Sequence, residues 1–366
     1  MLENGKISIQ QMAVLVIFVT IGDTILILPS ITASAAKQDA WLSGVVGLLG
    51  GAFVVWLFLR LIGLKPNETI IQLNRSLLGT WLGGTMSVLF LLYYLFNLSA
   101  MTREISDFVT SQMMTETPIR AIHVMIIFVL FFSLRSGLES IGRAGELLIP
   151  WFSFFFIALF VLLLPQIETD KLLPIMGDGV RPVLTGSIYA VVYPFTETVI
   201  VFMMLMPYVK QGSHMRKDFM VASMIGAVCI LAVVLISILI LGAYITSHQI
   251  YPAYGLAKKI SIGNFLERLE ALLAIVWIMS TYFKCTLYLY ALVMGSAQLL
   301  GLKERRFLDL PYALILFGLA SLISPNISFY TDLLQHYWPF WDLTYAVAVP
   351  LLLLAVFYMR GMRKPS

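Results

Sequence analysis

Apolar segments close to 20 residues long recur along the whole chain, and this repetition constrains the fold more than any other feature. About 20 consecutive apolar residues form a helix that crosses the ~30 Å hydrocarbon core of a bilayer. Only 12% of the residues are charged, whereas a soluble domain carries roughly a quarter. This charge is too sparse to cover a globular surface in water, which excludes a soluble enzyme. The sequence therefore predicts an all-α integral membrane protein.

Charged residues, glycines and prolines bound ten apolar segments, and each segment predicts one transmembrane helix. The stretches between them are too short to hold a further domain of ~50 residues. We therefore expect residues 1–366 to form a single membrane domain surrounded by the lipid bilayer. The predicted spans are residues 8–36, 41–62, 81–110, 119–134, 140–164, 186–208, 218–246, 268–300, 310–324 and 337–359.

Lys and Arg are distributed unevenly between the two sides of these spans. The loops on the side of the termini carry 15 of them, and the opposite loops carry 7. Because cytoplasmic loops hold the excess of Lys and Arg, we expect both termini to be cytoplasmic. The spans also divide into two halves of five, about 8–164 and 186–359. Since each half has an odd number of spans, the two halves insert with opposite topology, as inverted repeats do.

The first and sixth spans each place an acidic residue beside a residue that breaks helices. Gly22 precedes Asp23, and Pro194 lies three residues before Glu197. Glycine permits unwound backbone, and proline removes a backbone donor. Non-helical backbone at membrane depth persists only where it is buried in protein or lines a polar cavity. This pattern predicts that helices 1 and 6 are interrupted, although Pro194 could instead only kink its helix.

A short internal repeat supports the same interpretation. The segments 23–26 and 197–200 share the order acidic residue, threonine and two aliphatic residues. Both lie at the centre of the first helix of a five-helix half. Interrupted helices at corresponding positions of inverted halves indicate a transporter-type binding site. The ends of such half-helices suit a zwitterionic amino acid.

Lys284 lies near the middle of the eighth span, at the same depth as Asp23 and Glu197. An ionisable residue at that depth is costly and is by default a functional-site hypothesis. No carboxylate lies three or four residues from Lys284 on its own helix. It must therefore find Asp23, Glu197, water or carbonyl oxygens, or lose its charge. We expect Lys284 to replace a bound sodium ion or to carry a proton, whereas Asp23 could also form only a structural hydrogen bond.

The third span carries further polar side chains. Tyr94 and Asn97 lie at mid-depth, where they line a cavity or form ordinary hydrogen bonds between helices. Arg103 and Asp107 are spaced to pair on one helix face, as a structural ion pair or an outer gate. Trp338 and Trp341 predict an aromatic belt at the end of the last helix. The sequence shows no pattern that predicts a catalytic residue, a metal ligand, a cofactor site or a nucleic-acid partner.

Several segments resemble the amino acid-polyamine-organocation transporter superfamily, and within it the spore germination permease family, the B subunits of GerA-type nutrient germinant receptors. The break around Gly22 resembles that superfamily, although Asp23 stands where a small neutral residue is more usual. The family likeness is carried by the short tails and by the segments 7–11, 117–118 and 137–143. It implies a LeuT-like fold, an all-α integral membrane protein with ten transmembrane helices as two inverted five-helix repeats.

The resemblance also implies a function, a place and a set of partners. It implies a multi-pass protein of the bacterial plasma membrane, which in a spore is the spore inner membrane. The protein would sense a small nutrient such as an amino acid and trigger germination together with A-type and C-type subunits. A proton- or sodium-coupled amino-acid transporter is the alternative, and an enzyme is not expected. Ion or proton coupling would use Lys284 and Glu197. The implied ligand-binding residues are Gly22, Asp23, Thr24, Tyr94, Asn97, Tyr193, Phe195, Thr196 and Glu197.

Overall fold

The computed structural model describes residues 5–258 and 270–361, and within these ranges the regular structure is helical apart from one isolated β-bridge. The start of the predicted 268–300 span, at residues 268 and 269, lies outside the described residues. The helices are α1 (Ile9–Ile21), α2 (Thr24–Ala36), α3 (Ala40–Ile62), α4 (Ile70–Leu78), α5 (Thr80–Phe108), α6 (Ile119–Ser136), α7 (Leu138–Leu163), α8 (Val180–Val191), α9 (Glu197–Leu205), α10 (Met215–Leu241), α11 (Ala243–His248), α12 (Pro252–Lys258), α13 (Glu270–Leu299), α14 (Asp309–Leu322), α15 (Ile327–His336), α16 (Trp338–Leu343) and α17 (Val349–Met359).

Each of the ten predicted spans corresponds to one of these helices or to a group of consecutive ones. By length and apolarity, eight helices of the described chain are able to cross a membrane, or nine if the bent pair around residue 325 is one span. In this count residues 24–62 are one continuous helix, and Ile9–Ile21 is not included because it is too short to cross a membrane alone. The all-α membrane fold is thus confirmed, and the count of ten stays a prediction.

The first span is interrupted where the sequence predicted. Helix α1 ends at Ile21 and is followed by Gly22, whose φ of 32° lies in a region that side chains disfavour. The Gly22 N–H donates to the carbonyl oxygen of Phe18 at 2.8 Å, and α2 begins two residues later. The polar ends of two half-helices therefore lie inside the protein, beside Asp23.

The sixth span is interrupted by a wider turn instead of an unwound segment. Residues 192–196 form a π-helical turn that separates α8 from α9. Pro194 lies inside this turn and has no N–H to donate, which favours a wider turn at this position. Glu197 is the first residue of the helix that follows.

Two pairs of spans pack as the repeat relation requires. The first span packs on the seventh through α1 and α10, and the sixth packs on the second through α8 and α3. Exchanging the halves converts one pair into the other. Glycines allow the close approach, because a Cβ on Gly47 would lie 2.5 Å from the Cβ of Ala190, and one on Gly226 would lie 2.7 Å from the Cβ of Thr20.

The loops contain more helix than the apolar segments predict. Helices α4, α12 and α15 lie between the predicted spans, and Thr69 caps α4 in a reciprocal arrangement with Gln72. The segment before α1 forms the one isolated bridge. There Ile7 N–H donates to Tyr208 O at 3.0 Å, and Lys210 N–H donates to Ile7 O at 2.9 Å. This bridge joins the start of the first span to the end of the sixth.

Candidate functional site

The structure brings Asp23, Glu197 and Lys284 together at the two interruptions. The Lys284 ammonium contacts Asp23 Oδ1 and Glu197 Oε2, so one cation lies between two carboxylates. The three residues are 0–5% exposed, which closes the cluster to bulk water. Desolvating such charges costs several kcal/mol per ion, and the ion pairing repays that cost only while the geometry is kept. We call these three residues the central cluster.

Gly22 allows Lys284 to reach this position. A Cβ at residue 22 would lie 2.5 Å from Lys284 Cδ, closer than real Cβ contacts occur. The Gly22 carbonyl, freed by the break, accepts a hydrogen bond from Ser280 Oγ at 3.2 Å. The Thr24 hydroxyl and the Thr281 hydroxyl on α13 are both buried, and neither has a hydrogen-bond partner within the described residues. A freed carbonyl of the first span therefore meets a hydroxyl group of the eighth span one helical turn before Lys284.

The sixth span is held by hydroxyl groups from neighbouring helices. Tyr94 on α5 donates to the Ile200 carbonyl at 2.9 Å, and Tyr288 on α13 donates to the Glu197 carbonyl at 2.9 Å. Thr198 lies 3.1 Å from Thr20, hydroxyl to hydroxyl, across the two halves. These contacts fix the backbone that carries Glu197.

Asp342 is a buried carboxyl group that the sequence analysis missed. It lies on α16, with Oδ1 accepting from Tyr93 Oη at 2.7 Å and Oδ2 accepting from Thr196 Oγ1 at 3.3 Å. Thr196 also donates to Val192 O at 2.5 Å, inside the π-helical turn. The available signal was a carboxyl residue inside the predicted 337–359 span. Asp342 thus connects the tenth span to the turn before Glu197.

The remaining predicted residues lie around this core, and within the described residues none of them forms a hydrogen bond with Lys284. Tyr193 donates to Leu334 O at 2.5 Å, and the Phe195 ring fills the space over Gly51 of α3. Asn97 accepts from Trp338 Nε1 at 3.2 Å and donates to its own helix.

The prediction of an aromatic belt at the membrane surface is wrong for Trp338, which is buried. Trp341 is only partly exposed. Trp338 is 8% exposed, and its indole N–H is used by Asn97. Trp341 is half-buried and stacks on Tyr93 with ring centroids 6.2 Å apart. Trp338 therefore packs toward the interior, where its indole N–H finds a polar partner, and Trp341 packs inward through its stack on Tyr93.

A polar cavity of about 680 Å³, which we call the vestibule, lies near the end of α5. The Arg103–Asp107 ion pair, with Nε 2.8 Å from Oδ2, lies on its wall, in the pairing that their spacing predicted. Other lining residues come from 110–112, 248–258 and 325–327. In the predicted topology all three segments lie on the side opposite the termini.

A profile of the family described as "Spore germination protein" matches residues 6–329 of this chain. The chain belongs to the spore germination protein family. Spore germination protein KB of Bacillus subtilis (strain 168) is 28% identical over 330 residues, which cover 89% of this chain and 87% of that protein. Spore germination protein YndE of the same organism is 27% identical over 306 residues, 82% of this chain and 83% of its own length. The family resemblance found in the sequence is thus confirmed.

Solved structures confirm the LeuT-like fold of this spore germination family member. A closed structure of Mhp1, a nucleobase-cation-symport-1 family transporter with bromovinylhydantoin bound, superposes with a TM-score of 0.70 at 12% identity, over 99% of this chain and 80% of that one. MhsT in complex with L-phenylalanine gives a TM-score of 0.62 at 13% identity, over 95% and 97% of the two chains. At these identities the likeness concerns the fold alone.

Proposed function

We propose that this chain is the nutrient-binding membrane subunit of a spore germinant receptor. It binds a small nutrient such as an amino acid in the middle of the membrane and triggers germination together with A-type and C-type subunits. The observation that carries the proposal is the buried central cluster at two interrupted helices, in a member of a spore germination family. Ionisable groups at such depth are retained where they serve a function.

The central cluster provides a competition mechanism for ligand binding. A ligand ammonium fits the place of the Lys284 ammonium at Glu197 or Asp23, since both partners are carboxylates. A ligand carboxylate fits the freed backbone N–H groups at the start of α2, beside Thr24. Entry of a zwitterion then releases Lys284 from one carboxylate. The remaining ligand contacts come from Gly22, Tyr94, Asn97, Tyr193, Phe195 and Thr196.

Sensing requires that the ligand favours one of two states. A ligand shifts such an equilibrium only by its difference in affinity between them. The state described here has a closed central cluster and polar links from Asp342 and Thr196 to the sixth span. Displacing Lys284 would change the position of the first and sixth spans relative to their neighbours. We propose that the partner subunits detect this change.

The proposed location is the spore inner membrane, with both termini cytoplasmic. This orientation follows from the excess of Lys and Arg on the terminal side. It places the vestibule, with its Arg103–Asp107 pair, on the side from which a nutrient arrives.

An in-frame deletion in the source organism tests the proposal directly. Spores of the deletion strain are mixed with a panel of nutrients, and germination is followed as loss of optical density. We expect normal spore formation and loss of the response to one nutrient or one class, restored by the wild-type gene. A normal response to every nutrient, in a strain without related genes, would contradict the proposal.

The alternative function is proton- or sodium-coupled amino-acid transport. The observation that favours it is Lys284, a buried cation held by carboxylates at the helix interruption, where a coupling ion or proton would act. Reconstituted protein distinguishes the two functions. Accumulation of a labelled amino acid in proteoliposomes, driven by a pH or sodium gradient, supports transport. Saturable binding without accumulation supports sensing.

A further inference from the structure

Glu104 is a buried carboxyl group between the vestibule and the central cluster. Its side chain is 0% exposed, Oε2 accepts a hydrogen bond from Tyr330 Oη at 3.0 Å, and Oε1 has no partner within the described residues. Glu104 also lines a small cavity of about 20 Å³. Ile250, Tyr251 and Ile327 line both this cavity and the vestibule. These three side chains are therefore the partition between Glu104 and the vestibule.

The charged groups around Glu104 leave it without a cation. On its own helix, the Arg103 guanidinium is paired with Asp107. The interruption of the first span presents Asp23, α9 presents Glu197, and α13 presents Lys284, all within electrostatic range. The Lys284 ammonium already contacts the other two. The remaining titratable groups facing Glu104 are Tyr330 from α15, Tyr251 from the segment before α12, and Cys285 from α13.

An ionised carboxylate at this position would be both buried and unpaired. The effective cost of burying one ion is several kcal/mol, and a group in such surroundings is neutralised instead. The neighbouring carboxylates add repulsion, because three carboxyl groups, Asp23, Glu104 and Glu197, share one ammonium in the described region. Glu104 therefore needs an additional positive charge.

A proton fits this place better than a metal ion. A hard cation takes roughly six oxygen ligands, whereas Glu104, which lines this cavity, offers one carboxylate oxygen without a partner within the described residues, Oε1. Within the described residues no three His, Cys, Asp or Glu side chains are grouped so that they could hold a metal ion. The cavity volume is enough for one water molecule, which is sufficient to carry a proton between the partition and Oε1.

We propose that Glu104 is a proton-binding site that exchanges protons between the vestibule and the central cluster. A hydronium ion in the vestibule gives up its proton and becomes water, an O–H bond forms at Glu104 Oε1, and the carboxyl group becomes neutral. When Lys284 leaves Asp23, the proton passes to that carboxylate and Glu104 is ionised again until it is reloaded. Only a proton moves in these steps. The inference goes beyond the proposed function because it holds whichever nutrient is bound.

Infrared spectroscopy of the purified full-length protein in lipid tests the proposal. A protonated carboxyl group gives a C=O stretching band that shifts on exchange into heavy water, and an ionised carboxylate does not. We expect Glu104→Gln to remove part of this band at neutral pH. The matched control is Glu116→Gln, an exposed glutamate in the segment after α5, which should leave the spectrum unchanged. Identical spectra for wild type and Glu104→Gln would overturn the proposal.

A second variant keeps the test valid if Glu104→Gln does not fold. Tyr330→Phe removes the hydrogen bond to Oε2 and keeps the carboxyl group. We expect the C=O band to move to higher frequency without loss of area, because the carbonyl loses its donor. A band that keeps both its position and its area would assign the proton to another residue and overturn the proposal.

Discussion

At the scale of single residues, the central cluster depends on an unequal charge balance. One ammonium serves two carboxylates, so removing either carboxylate leaves Lys284 paired, whereas removing the lysine leaves two carboxylates unpaired. Breaking a buried pair by deleting one partner typically costs 3–5 kcal/mol, because the other charge stays buried. The carboxylates are therefore the better positions for testing function without unfolding the protein.

Replacing Glu197 by glutamine tests the ligand-binding role. The amide keeps the size and an acceptor oxygen but loses the charge that attracts an ammonium. We expect the nutrient concentration for half-maximal germination to rise at least tenfold, which is about 1.4 kcal/mol. The control is Glu139→Gln, which removes an exposed pair with Arg143 and should leave the dose-response unchanged. An unchanged response in Glu197→Gln spores with normal protein levels would remove Glu197 from the site.

Replacing Gly22 by alanine tests the close approach of Lys284. The alanine would have to keep a disfavoured φ of 32°, and its Cβ would overlap Lys284 Cδ. We therefore expect the free energy of unfolding to fall by about 1–3 kcal/mol. Gly84→Ala is the matched control, because a Cβ there meets no atom within 4 Å. Thermal unfolding in detergent measures both. Equal midpoints for the two variants would contradict the described geometry.

At the scale of helices, the site is positioned by two helix pairs. The first span packs on the seventh, and the second packs on the sixth. Gly47 and Gly226 let the helix backbones approach, and the interrupted spans are positioned by that contact. Small residues at such interfaces replace the hydrophobic driving force that is absent between helices in lipid. The stability of the site is thus determined partly by residues that touch no polar group.

A larger side chain at Gly47 tests this arrangement. Gly47→Leu would force α3 away from α8 at Ala190, so we expect a lower unfolding midpoint and weaker ligand binding together. Gly318→Leu on α14 is the control, since its Cβ meets no atom within 4 Å. If Gly47→Leu were as stable as the control, the glycine contact would not position these helices.

The sequence predicted the long helices because an apolar segment of about 20 residues matches the thickness of the membrane. It predicted the meeting of three charges because the depth of a residue follows from its position in such a segment. It missed Asp342 and the inward packing of Trp338, which depend on how the tenth span faces the third. It also missed the short helices between spans, such as α15, because the prediction considered only apolar segments long enough to cross a membrane. Contacts between distant helices, such as Tyr94 with Ile200, are not encoded in any local pattern.

At the scale of the whole molecule, one side of the protein has an open cavity, the vestibule, whereas the central cluster below it is closed to water. The vestibule reaches the partition at Tyr251, and the cluster itself is buried. A smaller cavity of about 290 Å³, lined by residues 62–66 and 206–216, lies near the opposite ends of the spans. The orientation of the protein decides which of these cavities meets a nutrient.

Cysteine labelling tests this orientation. With Cys229 and Cys285 replaced by serine, we expect a membrane-impermeant maleimide to label Gln249→Cys in intact cells. Gln249 is exposed at the vestibule, and the matched residue Gln211 is exposed at the smaller cavity. Gln211→Cys should react only after the membrane is permeabilised. The reverse pattern would place the termini outside.

The bridge at Ile7 links the movements of the two interrupted helices. Because it joins the entry of the first span to the exit of the sixth through main-chain hydrogen bonds, neither end is able to move far alone. Each such bond contributes ~1 kcal/mol, so the bridge is strong enough to hold and weak enough to release. Opening of the protein at this end therefore either moves the two span ends together or breaks the bridge.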